Sequence, residues 1–442
     1  MGLERKDCRK WRSVHPFTEN DNEETMKDQV KMICIRKSDI SVSPLAKRDG
    51  SKYQGGFTLI ELLITMVVFV FAIAAASQIF TNLLTQFKQQ SKIAETNIEG
   101  IVGLNLLRQD IEHAGLGLPW NVDENSVADT NADNNFWDNV PGYNESPITG
   151  AVPDPAIYND APNNAPSAFR SGNGDGAGGS DYLVIKSASV SSDRAAGKNT
   201  RLSSTFPYVR TWSLHSDDLY NSDRSIVISP GSTESNSRSL LVNGGSYHTS
   251  YSTVSAYAPA EDTDVRLVYG ISDANPANSL RAPFNRSDYY ISTDNVSPRC
   301  AVGTGVLIKA TLNHNTADAN VFNETPLLDC VADMQVVYRN DTGVSHNDLS
   351  TLTDTDGDGI IEAHEIRDQL REIRVYILAH EGQKDSNFIF NNFTAEACDT
   401  CIRVGSTAVF GRDFDFAVSG ITDYLNYRWK VFTLSVNTDN LR

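Results

Sequence analysis

The chain has 442 residues, 40% of them hydrophobic, with 38 Lys and Arg against 56 Asp and Glu for a formal net charge of −18. That is enough apolar material for one large core or two smaller ones, and nothing in the composition marks the whole as disordered or fibrous. The acidic balance argues against an electrostatic nucleic-acid binder, which needs clustered Lys and Arg to displace counterions from phosphate.

The charge is divided at one point: residues 1–56 sum to +3 and the remainder to −21. Of the six cysteines, Cys8 and Cys34 lie before that point and Cys300, Cys330, Cys398 and Cys401 after it. Removal of the first 56 residues would leave an even set, as expected of a chain exported to an oxidising compartment.

The division falls at "GGFTLIELLITM", Gly55 to Met66. From Phe57 to Phe80 the only charge is Glu61, and at about 1.5 Å per residue this run covers the roughly 30 Å of a bilayer core. Lys47, Arg48 and Lys52 stand before it, so the positive-inside rule places the N-terminus in the cytoplasm and the bulk outside. A carboxylate inside such a span costs about 2.5–3.5 kcal/mol on insertion scales and is expected to face a partner.

The helical signal continues as an amphipathic extension over 81–118. Phe80, Leu83, Leu84 and Phe87, then Ala94, Ile98, Ile101, Leu104, Ile111 and Ala114 recur at three- and four-residue steps. Gly100 and Gly103 weaken it by about 1 kcal/mol each relative to Ala, and Ala114–Pro119 supplies breakers. One nearly continuous helix is expected, with two helices kinked at the glycines as the alternative.

Residues 119–180 are rich in Asp, Asn, Gly, Pro and Ser and read as a flexible surface excursion, with local order around Phe136 and Trp137. Over 181–442, β-branched and aromatic runs at 181–190, 224–229, 265–271, 305–312, 333–339, 371–379 and 428–436 alternate with Asn, Gly, Ser and Asp. They predict a mostly antiparallel sheet. The fold class is therefore α+β, a long N-terminal helix packed on a β-rich domain.

"GGFTLIELL", with basic residues upstream, an aromatic after the glycine and a Glu five places in from Phe57, resembles the processing signal of type IV prepilins and type II secretion pseudopilins. The resemblance implies that a prepilin peptidase cuts after Gly56 and that Phe57 becomes an N-methylated terminus. It also implies that Glu61 meets the Phe57 amine of a neighbouring subunit in a helix-packed filament. Further patches at 104–119, 180–186, 327–339, 370–379 and 427–436 resemble PilW-type minor pilins, which are similar to J-type pseudopilins.

The fold implied is pilin-like. The implied partners are other major and minor pilins, the peptidase, the inner-membrane assembly platform and a tip adhesin. The implied place is the inner membrane in a single span, with the C-terminal domain in the periplasm, and then the filament. A leader of 56 residues is longer than the family's usual one, so Met26 or Met32 are alternative starts. An ordinary signal peptide cleaved near "AIAAAS" (72–77) or a plain signal anchor would explain neither the Gly-Phe junction nor Glu61.

"DTDGDGIIEAHE" (354–365) fits the calcium-loop template. Oxygens are expected from Asp354, Asp356, Asp358, the carbonyl of Ile360, Glu362 and a bidentate Glu365, with Gly359 at the sharp turn. "SHNDLSTLT" before it is a poor entering helix, so the expectation is one EF-hand-like loop on a β-rich domain, with calcium in a structural role. An acidic turn without metal is the alternative.

Cys398 and Cys401 form a C-x-x-C followed by Ile402, which excludes c-type haem attachment. Structural disulfides are expected, Cys300–Cys330 with Cys398–Cys401 being preferred among three connectivities. No G-x-S-x-G, H-E-x-x-H or P-loop is present, so nothing in the sequence asks for an enzyme. His113 is expected at a helix end and His380 at a strand edge. The readings that compete with a minor pilin are a J-type pseudopilin, a signal-anchored calcium-dependent adhesin and a periplasmic redox protein using Cys398 and Cys401.

Overall fold

The computed structural model describes residues 56–123, 125, 127–128, 130, 135–145, 154–231, 238–273, 280–395, 398–407 and 409–441. The expected leader, with Cys8 and Cys34, lies outside these residues except for Gly56. The chain divides into two compact units, Met1–Ala72 and Ile73–Arg442. The described part of the first is the opening of the helix α1 (Leu59–Glu112), exposed along its whole length there.

In the second unit α1 runs on without a break at the glycines. Its inward stripe is Thr96, Gly100, Gly103, Leu107, Asp110 and Ile111, flanked by the half-buried Ile93, Asn97 and Leu104. This corrects the expected face: Ile98 (64% exposed) and Ile101 (60%) point outward, whereas Leu104 and Ile111 point in as their spacing predicts. Both glycines face the sheet, and at Gly103 the strand comes too close for anything larger, whereas Gly100 has room for a methyl group in ordinary contact. A Cβ on Gly103 would lie 2.2 Å from the Leu327 carbonyl oxygen, and one on Gly100 would touch Leu328 and Phe432.

Helix propensity and packing therefore make opposite predictions for Gly103→Ala. Propensity alone would stabilise by about 1 kcal/mol. We expect instead a loss of about 1–3 kcal/mol from overpacking against backbone, read as a lower midpoint in denaturant titration.

The helix ends at Glu112, and Gly115 and Gly117 then adopt φ of +80° and +75°, a left-handed conformation open to glycine at little cost. Asn440 donates to the Glu112 carbonyl from the chain's far end.

The strands follow in chain order. The first eight are β1 (Asn121–Val122), β2 (Phe169–Gly172), β3 (Tyr182–Lys186), β4 (Asn199–Leu202), β5 (Arg224–Ser229), β6 (Ser239–Leu240), β7 (Thr249–Ser250) and β8 (Arg266–Ser272). Then come β9 (Arg286–Ser292), β10 (Gly305–Leu312), β11 (Phe322–Asn340), β12 (Ser345–His346), the helix α2 (Ala363–Gln369), β13 (Leu370–Glu381), β14 (Cys401–Gly405), β15 (Gly411–Asp415) and β16 (Arg428–Asn437). The larger sheet has the order β16-β13-β11-β10-β9-β3-β2, with β12 on β11; the smaller has β1-β6-β5-β8-β4, with β7 on β5; β14 and β15 form a separate hairpin. Within the sheets every pairing is antiparallel except β1 with β6.

The larger sheet is covered on both faces. Along β13, Ile373, Val375, Ile377 and Ala379 enter the main core with the α1 stripe, while Tyr376 and Leu378 enter a second core with Phe390, Phe414, Phe416 and Trp429. This is the period-2 alternation of a strand buried on both sides.

The described part of 119–180 differs from the flexible excursion expected. Trp137, Tyr143, Tyr158 and Phe169 are buried, and β2 is paired with β3. Glu145 and Asp160 form ion pairs with Lys186 of β3, and Arg286 of β9 donates to Asn159 and the Pro155 carbonyl. The polar composition reflects a segment fastened by charge, which hydrophobicity does not register.

Candidate functional site

Three constellations were singled out by sequence. The first is the opening of α1. Phe57 is 83% exposed, and Thr58 precedes the helix. The Thr58 N–H and Oγ1 donate to Glu61 Oε2 at 3.0 and 2.9 Å, while the Glu61 N–H donates to Thr58 Oγ1 at 3.3 Å. This is a reciprocal cap satisfying free N–H groups of the first turn, where a carboxylate also suits the helix dipole. Sequence reasoning overlooked it, although Thr-x-x-Glu before an apolar run is its written signature. By length and composition α1 can cross a membrane.

The second constellation is the acidic loop. Carboxylate oxygens of Asp354, Asp356 and Glu365 lie within 4.8 Å of one another, and so do ligand atoms of Asp356, Glu362 and His364. Asp358 belongs to neither group; its Oδ1 accepts the Ile360 N–H at 2.7 Å. The Ile360 side chain is 59% exposed. Both oxygens of Asp354 accept backbone N–H groups, from Gly357 at 2.6 Å and Gly359 at 2.8 Å. Those bonds hold its carboxyl below the usual range. Gly357 and Gly359 have φ of +83° and +88°, the turn that the template's glycine allows.

Glu362 caps α2 and Glu365 reaches back to it in a capping box. Glu365 is buried and also accepts from Thr355 Oγ1 at 2.8 Å. Burial would raise its carboxyl, but the Thr355 and Glu362 bonds leave it below its usual value. For Glu362, burial and then the charges of Asp358 and Asp356 push it up. The loop is entered from a single turn at Leu349–Thr351 and left by α2 and β13, so a helix follows it and only a turn precedes it. The Asp354, Asp356 and Glu365 group offers oxygen donors alone, and such a multiply charged set suits a hard divalent cation.

The third is the cysteines. Cys300 is bonded to Cys330 and Cys398 to Cys401. The first bridge ties the segment before β10 to β11, and the second closes the turn that begins β14. His113 is exposed just past α1, but His380 is not at a strand edge. It is fully buried between β11 and β16, its Nε2 accepting the Ala301 N–H at 2.9 Å, its ring against Tyr427 and Trp429. Burial pushes the imidazole down to about 3, so it is a neutral core residue.

Residues 51–77 match the family described as the prokaryotic N-terminal methylation motif. Among solved structures, a type IV-like pilin from Thermus thermophilus is similar at 13% identity, over 36% of this chain and 68% of that one, with a TM-score of 0.20. No curated protein matches the chain. The motif carries weight here; a structural overlap of that size carries no argument.

Proposed function

We propose that this type IV pilin-like protein, with its methylation motif at residues 51–77, is a PilW-type minor subunit of a type IV pilus. Prepilin peptidase cuts between Gly56 and Phe57, the new terminus is methylated, and α1 holds the subunit in the inner membrane until it passes into a filament. There it meets other pilins, and the assembly platform drives the transfer. The role is structural, not enzymatic.

The observation that carries the reading is the outer face of α1. Leu59, Phe69 and Phe80 are exposed, and so are Phe87, Ile98, Ile101 and Val102 beyond them. The first part is long enough to sit in lipid, but the last three residues lie more than a bilayer's length along the helix. Only neighbouring helices in a filament would cover the whole stripe. The large β-rich part makes the subunit bulky for a repeating shaft, which favours a place at or near the tip beside an adhesin, or in priming assembly.

Deletion tests the assignment: we expect lost piliation and twitching. Lost enzyme secretion with normal piliation would instead identify a J-type pseudopilin, and intact piliation with weakened attachment an adhesin.

We assign one structural calcium ion to the loop, held by Asp354, Asp356 and Glu365, with Glu362, Asp358 and the Ile360 carbonyl as further oxygens. Its support is the convergence of the first three carboxylates at a full match to the template. Calcium at about 100 times its Kd should stabilise the full chain in detergent by about 2.7 kcal/mol, and E365Q should abolish most of that gain. An unchanged melting temperature with calcium would refute the assignment.

A further inference from the structure

We propose that Lys186 and Asp160 condense with each other in the folded chain to a Lys–Asp isopeptide bond, with Glu145 carrying the proton. Lys186 is the last residue of β3, and among the described residues it is the one buried lysine. Its Nζ is hydrogen-bonded to Asp160 Oδ1 and lies 3.0 Å from Glu145 Oε1, and the three side chains are only 2–4% exposed. An amine, the carboxyl it would attack and a second carboxylate therefore meet in a site closed to water. Such positioning turns a bimolecular step into a unimolecular one.

Both partners are held in place. The Lys186 N–H donates to the Ala168 carbonyl at 2.9 Å, and its carbonyl accepts the Gly115 N–H at 3.0 Å. Asp160 Oδ2 accepts the Ser167 N–H at 2.9 Å, which leaves Oδ1 to the amine and puts a donor where negative charge develops when the amine adds. The ions also gain by disappearing. Lys186 stands directly opposite Arg286 in the pairing of β3 with β9, and like charges in that relation repel. Each buried ion carries a desolvation penalty that a neutral amide escapes.

The step is a condensation that needs no other reactant. A proton passes from the Lys186 ammonium to Asp160 Oδ1, leaving a neutral amine and a neutral acid, as burial favours. The amine lone pair attacks Asp160 Cγ, the Nζ–Cγ bond forms, and negative charge collects on Oδ2 against the Ser167 N–H. Glu145 takes a proton from Nζ and delivers it to the Oδ1 hydroxyl; the Cγ–Oδ1 bond breaks, one water leaves and the carbonyl re-forms at Oδ2. An ammonium and a carboxylate have become an amide and a water, and Glu145 ends as it began. Burial holds the Glu145 carboxyl above its usual value although Lys186 pulls it down, which suits a group that accepts and returns a proton. The bond joins residues 26 apart and fastens the 154–160 segment to the larger sheet, constraining the unfolded chain as a disulfide does.

The test is peptide mass spectrometry on the full-length chain extracted in detergent, reduced and digested with trypsin. We expect the peptide bearing Asp160 joined to the one bearing Lys186, lighter than their sum by one water, with the chain uncut at Lys186. In pulse-labelled cells E145Q should slow the appearance of the link by about 10²–10⁴-fold, while amide protection in β9 stays as in wild type and shows that the sheet has formed. The wild-type arm needs no variant and so decides even if E145Q folds poorly. A wild-type chain whose two peptides appear unlinked at full mass, a link between other residues, or a link formed at the wild-type rate in folded E145Q would overturn the proposal.

Discussion

Glu61→Ala is expected to leave cleavage after Gly56 and methylation of Phe57 intact, while filament incorporation collapses. In the unassembled chain the Glu61 carboxylate is occupied by its own Thr58, which lowers the cost of carrying it in an apolar helix. In the filament we propose that it meets the Phe57 amine of a neighbour, a charge that exists only after cleavage. Removing one member of such a buried pair costs about 3–5 kcal/mol, or about two to three and a half orders of magnitude in incorporation.

Thr58→Ala separates the two roles. It removes the hydroxyl of the cap, worth about 0.5–2 kcal/mol, but keeps the carboxylate, so T58A should assemble. Intact-mass measurement of the mature terminus and quantitation in sheared filaments read both outcomes. An E61A chain that is cleaved and assembles like wild type would sink the pairing.

The methylation motif at residues 51–77 was legible because its signal is local: a glycine, an aromatic and a carboxylate within a few residues. The helix was legible in extent but not in orientation. Apolar periodicity identifies one buried stripe when a helix has one apolar neighbour. Here the outer stripe, with Ile98 and Ile101, is as apolar as the inner one, so the large residues drew the reading outward. The inner stripe contained Gly100 and Gly103, and the value of Gly103 is its close approach to Leu327, a tertiary fact with no hydrophobic signature. His380 was misplaced because its covering strand, β16, arrives 48 residues later in the chain. In the acidic loop the template fixed the residue types, while the separation of Asp358 from the converging carboxylates is a matter of backbone turn.

Strand β9 shows the same limit most sharply, and it supports the largest stability effect. "RSDYYIS" opens on two charges and was passed over, yet β9 lies in the interior of the larger sheet between β10 and β3. Arg286 and Asp288 are both essentially unexposed. The guanidinium donates from Nε and Nη2 to the two oxygens of Asp288 at 2.7 and 2.8 Å, to Asn159 at 2.6 Å and to the Pro155 carbonyl at 2.9 Å. Tyr182 donates to the same carboxylate at 2.5 Å, and Glu145 lies 3.5 Å from the guanidinium. Charges placed in a core are tolerated only when paired and hydrogen-bonded, and here Asp288 supplies the pair while Asn159 and the Pro155 carbonyl, which take the remaining donors, come from about 130 residues upstream, in the stretch that composition marks as loop.

Arg286→Met should therefore cost about 3–5 kcal/mol, because it leaves Asp288 buried without its cation. Amide exchange at residues 156–160 should accelerate with it, since that segment loses its anchor on the sheet. R286M/D288L, which removes both charges, should cost less than the sum of the two single changes. A buried pair replaced by apolar groups sheds its desolvation penalty, and residues in direct contact are not additive. If R286M melts like wild type, or if the two changes simply add, the network is not what fastens the 154–160 segment to the sheet.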